Sequence, residues 1–143
     1  MVQSKQQQML FIERHHMKTH LEVGQWGEDI AVAILQLSAY QLLTRNWRPR
    51  LERGDKRVRG EIDAVMLDPE GDLVFVEVKT RSTLNFGSPF DAIQQEKVQR
   101  IKRLAYAWCS ENPDYRARSL RMDAVSICGT PTNFTYEHLK AVN

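Results

Sequence analysis

Apolar residues recur at helical spacing from Val23 onward, with Val23, Trp26, Ile30, Ile34 and Leu37 on one stripe. A narrower stripe of Gly24, Glu28, Ala31 and Leu35 runs beside it, and Glu28 is its only charge. A helix with both stripes is expected to pack on a sheet while showing Glu28 to something else. An ordinary solvent-facing glutamate is the alternative. Tyr40 to Trp47 reads as a first strand, ended by Pro49, and a basic loop follows to Arg59. Gly60 to Leu67 and Leu73 to Thr80 are strands around Asp68-Pro69-Glu70-Gly71-Asp72, whose residue types favour turns, so the two form a hairpin.

Arg81 to Pro89 is polar and reads as a loop. Asp91 can cap a helix running to about Ser110, with Ile93, Ile101, Leu104, Ala105 and Trp108 inward, and Pro113 closes the segment. Leu120 to Ile127 is a fourth strand, and the last sixteen residues are indistinct. The predicted order is α-β-β-β-α-β, an α/β fold built on a mixed sheet. Residues 1–20 read as a flexible, glutamine-rich extension and 21–143 as a single domain. His16 and His20 are four apart in that extension, but with no acidic or cysteine partner nearby they read as a tail rather than a ligand set.

Composition narrows the class. With 143 residues, 42% hydrophobic and 27% charged, the chain is an ordinary globular domain with one core. No run approaches the roughly 20 apolar residues needed to span a bilayer, so no membrane association is expected. The start does not read as a secretory signal, and two cysteines form no disulfide framework, so the expected compartment is the reducing cytoplasm. The formal net charge of +2 says little, but its distribution says more. Arg45, Arg48, Arg50, Arg53, Lys56, Arg57 and Arg59 face only Glu52 and Asp55 between Arg45 and Arg59, an excess that suits phosphates. The alternative is a solvated loop.

Strand parity supplies the candidate chemistry. Glu61, Asp63, Val65 and Leu67 point one way, and Leu73, Phe75, Glu77 and Lys79 share a face on the partner strand. A five-residue loop closed by Leu67 and Leu73 sets Asp63 opposite Glu77, and Glu61 opposite Lys79, with directly opposed Cβ atoms about 5 Å apart. Two opposed carboxylates repel, and a hard divalent cation such as Mg²⁺ or Mn²⁺ offsets that cost with oxygen ligands and water. Lys79 stands on the same face, within reach of a water at such an ion. Val74, Val76 and Val78 face the other way, as core. The alternative is a surface face in which Glu61 and Asp63 pair with Lys79, and a one-residue slip in register would separate the acids altogether.

Gly60-Glu61-Ile62-Asp63 followed by Phe75-Val76-Glu77-Val78-Lys79-Thr80-Arg81 resembles the PD-(D/E)xK signature of restriction-endonuclease-like nucleases. More closely, the chain resembles the YraN-like family of uncharacterised bacterial proteins, distant relatives of archaeal Holliday junction resolvases. The match runs from about Val23 to Ile127 and includes Gly27-Glu28, Arg45-Asn46 and Arg121-x-Asp123. No proline precedes Asp63, which reduces the first half of the signature to the aspartate.

The resemblance implies a restriction-endonuclease-like three-layer fold and metal-dependent phosphodiester hydrolysis. Asp63 and Glu77 would ligate Mg²⁺ or Mn²⁺, with Glu28 as an additional ligand or base and Lys79 orienting or activating the attacking water. The superfamily often adds a polar residue from the following helix, and here Lys97 falls among Ile93, Ile101 and Leu104, with Gln94 and Gln95 as weaker candidates. Arg45, Arg48, Arg50, Arg53, Arg57, Arg81, Lys97 and Arg100 would hold a nucleic-acid backbone, DNA first, and kinship with resolvases suggests a homodimer. No base-reading element is identifiable, which points to structure-selective recognition. Trp47, beside the basic loop, is a candidate to stack on a base, with packing as the alternative. Asp123 reads as structural. The rival function is a non-catalytic nucleic-acid-binding protein that keeps the nuclease fold.

Overall fold

The computed structural model describes residues 20–50, 59–81, 95–115 and 117–142. Helix α1 (His20–Leu37) precedes three strands, β1 (Gln41–Trp47), β2 (Ile62–Leu67) and β3 (Leu73–Arg81). Helix α2 (Gln95–Glu111) then leads to β4 (Leu120–Thr130) and β5 (Asn133–Leu139). The sheet order is β1-β2-β3-β4-β5. Every neighbouring pair is antiparallel except β3 and β4, which are parallel. A parallel pair needs a long crossover, and α2 lies within it.

The two helices cover opposite faces of the sheet and make three layers. On one face Ala31 and Leu35 of α1 meet Ala64, Met66, Val74 and Val76. On the other, Ile101, Leu104 and Trp108 of α2 meet Ile62, Val65 and Phe75. The burial of α1 inverts the stripe expected from sequence. Ala31 and Leu35, from the narrower stripe, are fully buried, Trp26, Ile30 and Ile34 flank the core, and Leu37 is 89% exposed. Size explains the inversion, because small residues let the helix axis come close to the sheet. At Gly27 the approach is so tight that an added Cβ would run into the Thr80 side chain.

The hairpin follows its expected register, from Leu67 opposite Leu73 to Ala64 opposite Val76. Asp68 N–H donates to Asp72 O, and Asp68 Oδ1 accepts from the N–H groups of Glu70 and Asp72. Gly71 sits at φ 90°, a conformation that glycine adopts without strain. In β1 the register shifts between Leu42 and Thr44. Leu42 packs on the α1 side, and at the bulge Leu43 and Thr44 both reach the α2 side, where Trp108 Nε1–H donates to Thr44 Oγ1. Trp47 packs against the α2-side core, which favours packing over base stacking for this ring.

Strand β5 lies in the stretch whose sequence is indistinct. Most of its residues are exposed, so the pattern holds little apolar signal, although Phe134 packs on the core and against Trp26. A second anchor is polar. Fully buried Asp123 accepts from Arg121 and from the Ala141 N–H and lies 2.7 Å from His138 Nε2, while Arg121 also reaches Asp68, Asp72 and Tyr40. Burial alone would raise the Asp123 carboxyl, but His138, Arg121 and the Ala141 amide outweigh it and hold its pKa below the ordinary range. Asp123 is therefore structural, as its sequence position suggests. Among the described residues, no helix is long and apolar enough to cross a membrane.

Candidate functional site

Pairing of β2 with β3 stops at Ala64 and Val76, and one step further along the same register Asp63 comes beside Glu77, where β3 is still paired with β4. There the hydrogen bonding changes character: Val78 N–H donates to Asp63 Oδ2 at 2.7 Å. Glu77 is 8% exposed, so a carboxylate and its neighbour both face poor solvation. Burial and then the Glu77 charge push the Asp63 carboxyl up to about 8, against the Val78 hydrogen bond. Glu28 and Glu61 add to the same upward push. Four carboxyl groups thus converge, Glu61 joining Asp63, Glu77 and the Glu28 that the family resemblance implied.

Glu28 arrives from α1 because the Gly27–Thr80 contact seats that turn of the helix directly on β3. Burial raises its pKa, Arg45 opposes this, and a hydrogen bond joins it to Asp63. Arg45 projects from β1 toward α1, with Nη1 2.7 Å from Asp29 and Nη2 3.8 Å from Glu28. Its Nε and Nη2 are buried without a hydrogen-bond partner. Asn46 follows in the left-handed region at φ 49°. With its amide nitrogen turned to the acids, it donates to Glu61 Oε1 and Glu28 Oε2, each at 2.9 Å.

The lysines divide differently from the expectation. Lys97 of α2 turns inward, and its Nζ lies 2.5 Å from Glu77 Oε1. Burial works against the Lys97 cation, but its hydrogen bond to Glu77 prevails and raises its pKa. Lys79 shares a hydrogen bond with Lys97, and this contact followed by burial lowers the Lys79 pKa. Among the described residues Lys79 makes no ion pair with Glu61 or Asp63, so the surface-pair alternative is not what the fold adopts; Glu61 binds Arg48 instead, at 2.8 Å.

Of the other basic candidates, Arg50 pairs with Glu111 at 3.5 Å, and Arg81 ends β3, half-buried. Arg100 is exposed on α2, and Arg53 and Arg57 lie outside the described residues. Arg45 lies within β1, in the strand expected from sequence, and its guanidinium is engaged by Asp29. Among the described residues no three His, Cys, Asp or Glu side chains stand ready-made as a metal cage. Two carboxylates and water suffice for Mg²⁺, and Asp63 with Glu77 supplies hard oxygen donors of that kind.

Sequence reasoning missed Asn46 and Glu61 as members of the cluster. Glu61 shares parity with Asp63 and was visible; Asn46 depends on a positive φ after a bulge, which no periodicity reveals. These residues fall within a known family. Residues 27–127 match the Uncharacterised protein family UPF0102, a span that holds every member of the cluster from Glu28 to Lys97. The chain is 38% identical over 130 residues to the UPF0102 protein of Pseudarthrobacter chlorophenolicus, covering 88% of this chain and 89% of that one. It is 39% identical over 127 residues to the UPF0102 protein of Beutenbergia cavernae, covering 88% and 99%. The UPF0102 protein of Mycolicibacterium gilvum is 43% identical over 110 residues, covering 76% and 82%. With its motifs, its matched span and relatives of nearly equal length all agreeing, the chain belongs to the Uncharacterised protein family UPF0102, the YraN-like family.

Proposed function

We propose that the chain is a divalent-metal-dependent nuclease of restriction-endonuclease-like fold, hydrolysing phosphodiester bonds in structurally distinctive DNA. The observation that carries this reading is the Asp63–Glu77 pair, two carboxyls at low exposure whose repulsion helps push Asp63 up to about 8. Such a pair costs stability unless a cation or proton sits with it, and a site built at that cost points to use. Mg²⁺ or Mn²⁺ would be held by Asp63 and Glu77, with Glu28 as a further ligand. The ion supplies neutralisation of charge at the phosphate.

The chain's own residues do the rest. Lys79, two residues from Glu77 on the same strand face, has its proton held less tightly beside Lys97 than an ordinary lysine does, which suits a role in orienting or activating the attacking water. Arg48, Arg50, Arg81 and Arg100 stand on the elements bordering the site and fit a phosphate backbone, with Arg53 and Arg57 on the segment between β1 and β2. The test is a cleavage assay on duplex, single-stranded and branched DNA and on RNA, with Mg²⁺ or Mn²⁺. Metal-dependent cleavage that disappears in Asp63→Asn and Glu77→Gln is the expected result, and intact substrates throughout would defeat the reading.

A second reading has one observation in its favour. Lys97 Nζ already lies against Glu77, so an internal cation offsets part of the repulsion without metal. A nucleic-acid-binding protein without turnover would then bind the same substrates equally well in EDTA.

A further inference from the structure

We propose that Asn46 is a positioning residue for the carboxylate cluster, holding Glu28 toward Asp63 through its side-chain amide; this rests on the metal-site reading above. Glu28 reaches the cluster from a helix, whereas Asp63 and Glu77 come from the hairpin. Its hydrogen bond to Asp63 ties one end, but a glutamate has three rotatable bonds and its carboxylate is repelled by Glu61, so a further contact is needed to fix its rotamer across that gap. Arg45 is the nearest cation, yet it stands 3.8 Å from Glu28 and spends its 2.7 Å contact on Asp29. Asn46 is left as the close donor on that side, at 2.9 Å from Glu28 Oε2, and its second N–H meets Glu61 Oε1 at the same distance. One amide with two donors therefore spaces two carboxylates that would otherwise repel.

The backbone supports this assignment. Asn46 takes φ 49°, where asparagine and glycine are favoured over other residues, and that conformation sits at the end of β1 beside Glu61. The position is exposed, so replacing the residue opens no core cavity. Backbone and amide roles can therefore be separated: glycine keeps the conformation and removes the donor.

Free Mn²⁺ measured by electron paramagnetic resonance gives the metal affinity of wild type, Asn46→Gly, Glu28→Ala and the double variant, with melting temperatures in EDTA taken alongside. The expected result is wild-type binding, about tenfold weaker binding in Asn46→Gly, and no further loss when Asn46→Gly is added to Glu28→Ala. A residue serving only the backbone turn gives Asn46→Gly the wild-type affinity, which overturns the proposal. An undiminished Asn46→Gly effect in the Glu28→Ala background also overturns it, because the amide would not be acting through Glu28. If Asn46→Gly does not fold, Asn46→Ser with the same Glu28→Ala cycle decides between these outcomes. Absence of Mn²⁺ binding in wild type removes the metal site itself, and the positioning role with it.

Discussion

Asp63 carries the energetic cost of the site. Its carboxyl has an ordinary value of 3.8 and rises to about 8 in the fold, so the folded protein binds a proton that the unfolded chain releases across that interval. Stability of the metal-free protein therefore falls as pH rises from about 4 to about 8, and the loss is complete above the folded value. Asp63→Asn removes the titration. In EDTA this variant is expected to be more stable than wild type at pH 8, by on the order of 1 kcal/mol, with a smaller difference at pH 5. It should also lose any stabilisation by Mn²⁺, since a ligand stabilises only the state it binds. Thermal melts with EDTA and with Mn²⁺ check both halves.

Lys97 poses the complementary test. Its ammonium must leave Glu77 for a metal to bind both oxygens, so Lys97→Gln should destabilise the metal-free protein by roughly 1–3 kcal/mol while enlarging the shift that Mn²⁺ produces. A smaller Mn²⁺ shift in that variant would mean the lysine assists the ion. The apolar stripe of its helix shows that Lys97 is inward; its partner does not show, because helix phase fixes direction and not reach.

At the scale of elements, Gly27 decides whether α1 can deliver Glu28. Glycine to alanine usually favours a helix by about 1 kcal/mol. Here the methyl meets Thr80, and Gly27→Ala is expected to cost roughly 1–3 kcal/mol instead, partly recovered by Thr80→Ala. Urea unfolding of the two single variants and the double gives the sign directly. The β5 anchor behaves differently. Asp123→Asn leaves Arg121 and His138 around a buried amide, with an expected cost of about 3–5 kcal/mol. Because the Asp123 carboxyl is held low, its contribution is present above the ordinary carboxylate range and is lost as pH falls through its folded value. The hairpin register was legible because the turn residues fix loop length. The buried stripe of α1 was not, since the larger residues line the rim and the smaller ones the contact. Strand β5 escaped because an edge strand buries few of its side chains.

For the molecule as a whole, a mixed sheet with helices before and after the hairpin was readable from the alternation of helical and strand periods, and the three layers were implied by the family resemblance, while the fifth strand and the crowding of four carboxyls emerged only in the fold. At the candidate site Glu77 is buried, whereas Arg48 and Arg50 at its border are exposed. Arg48 and Arg50 form ion pairs with Glu61 and Glu111 while being 75% and 82% exposed, so these pairs contribute little and, in the proposed nuclease, would give way to phosphates. Replacing both with glutamate should weaken DNA binding across sequences. The slope of log affinity against log salt should become shallower by about 1 for each phosphate that is no longer neutralised. An unchanged slope would place the DNA elsewhere on the surface.

The amide of Val78 is tied to the candidate site by its bond to Asp63 Oδ2, where a strand amide would ordinarily meet a carbonyl. Its proton therefore experiences whatever happens to that carboxylate. In a ¹⁵N-labelled sample this single resonance becomes an internal indicator, moving as Asp63 gains a proton or accepts an ion, and it reads the occupancy of the site without a substrate or a turnover.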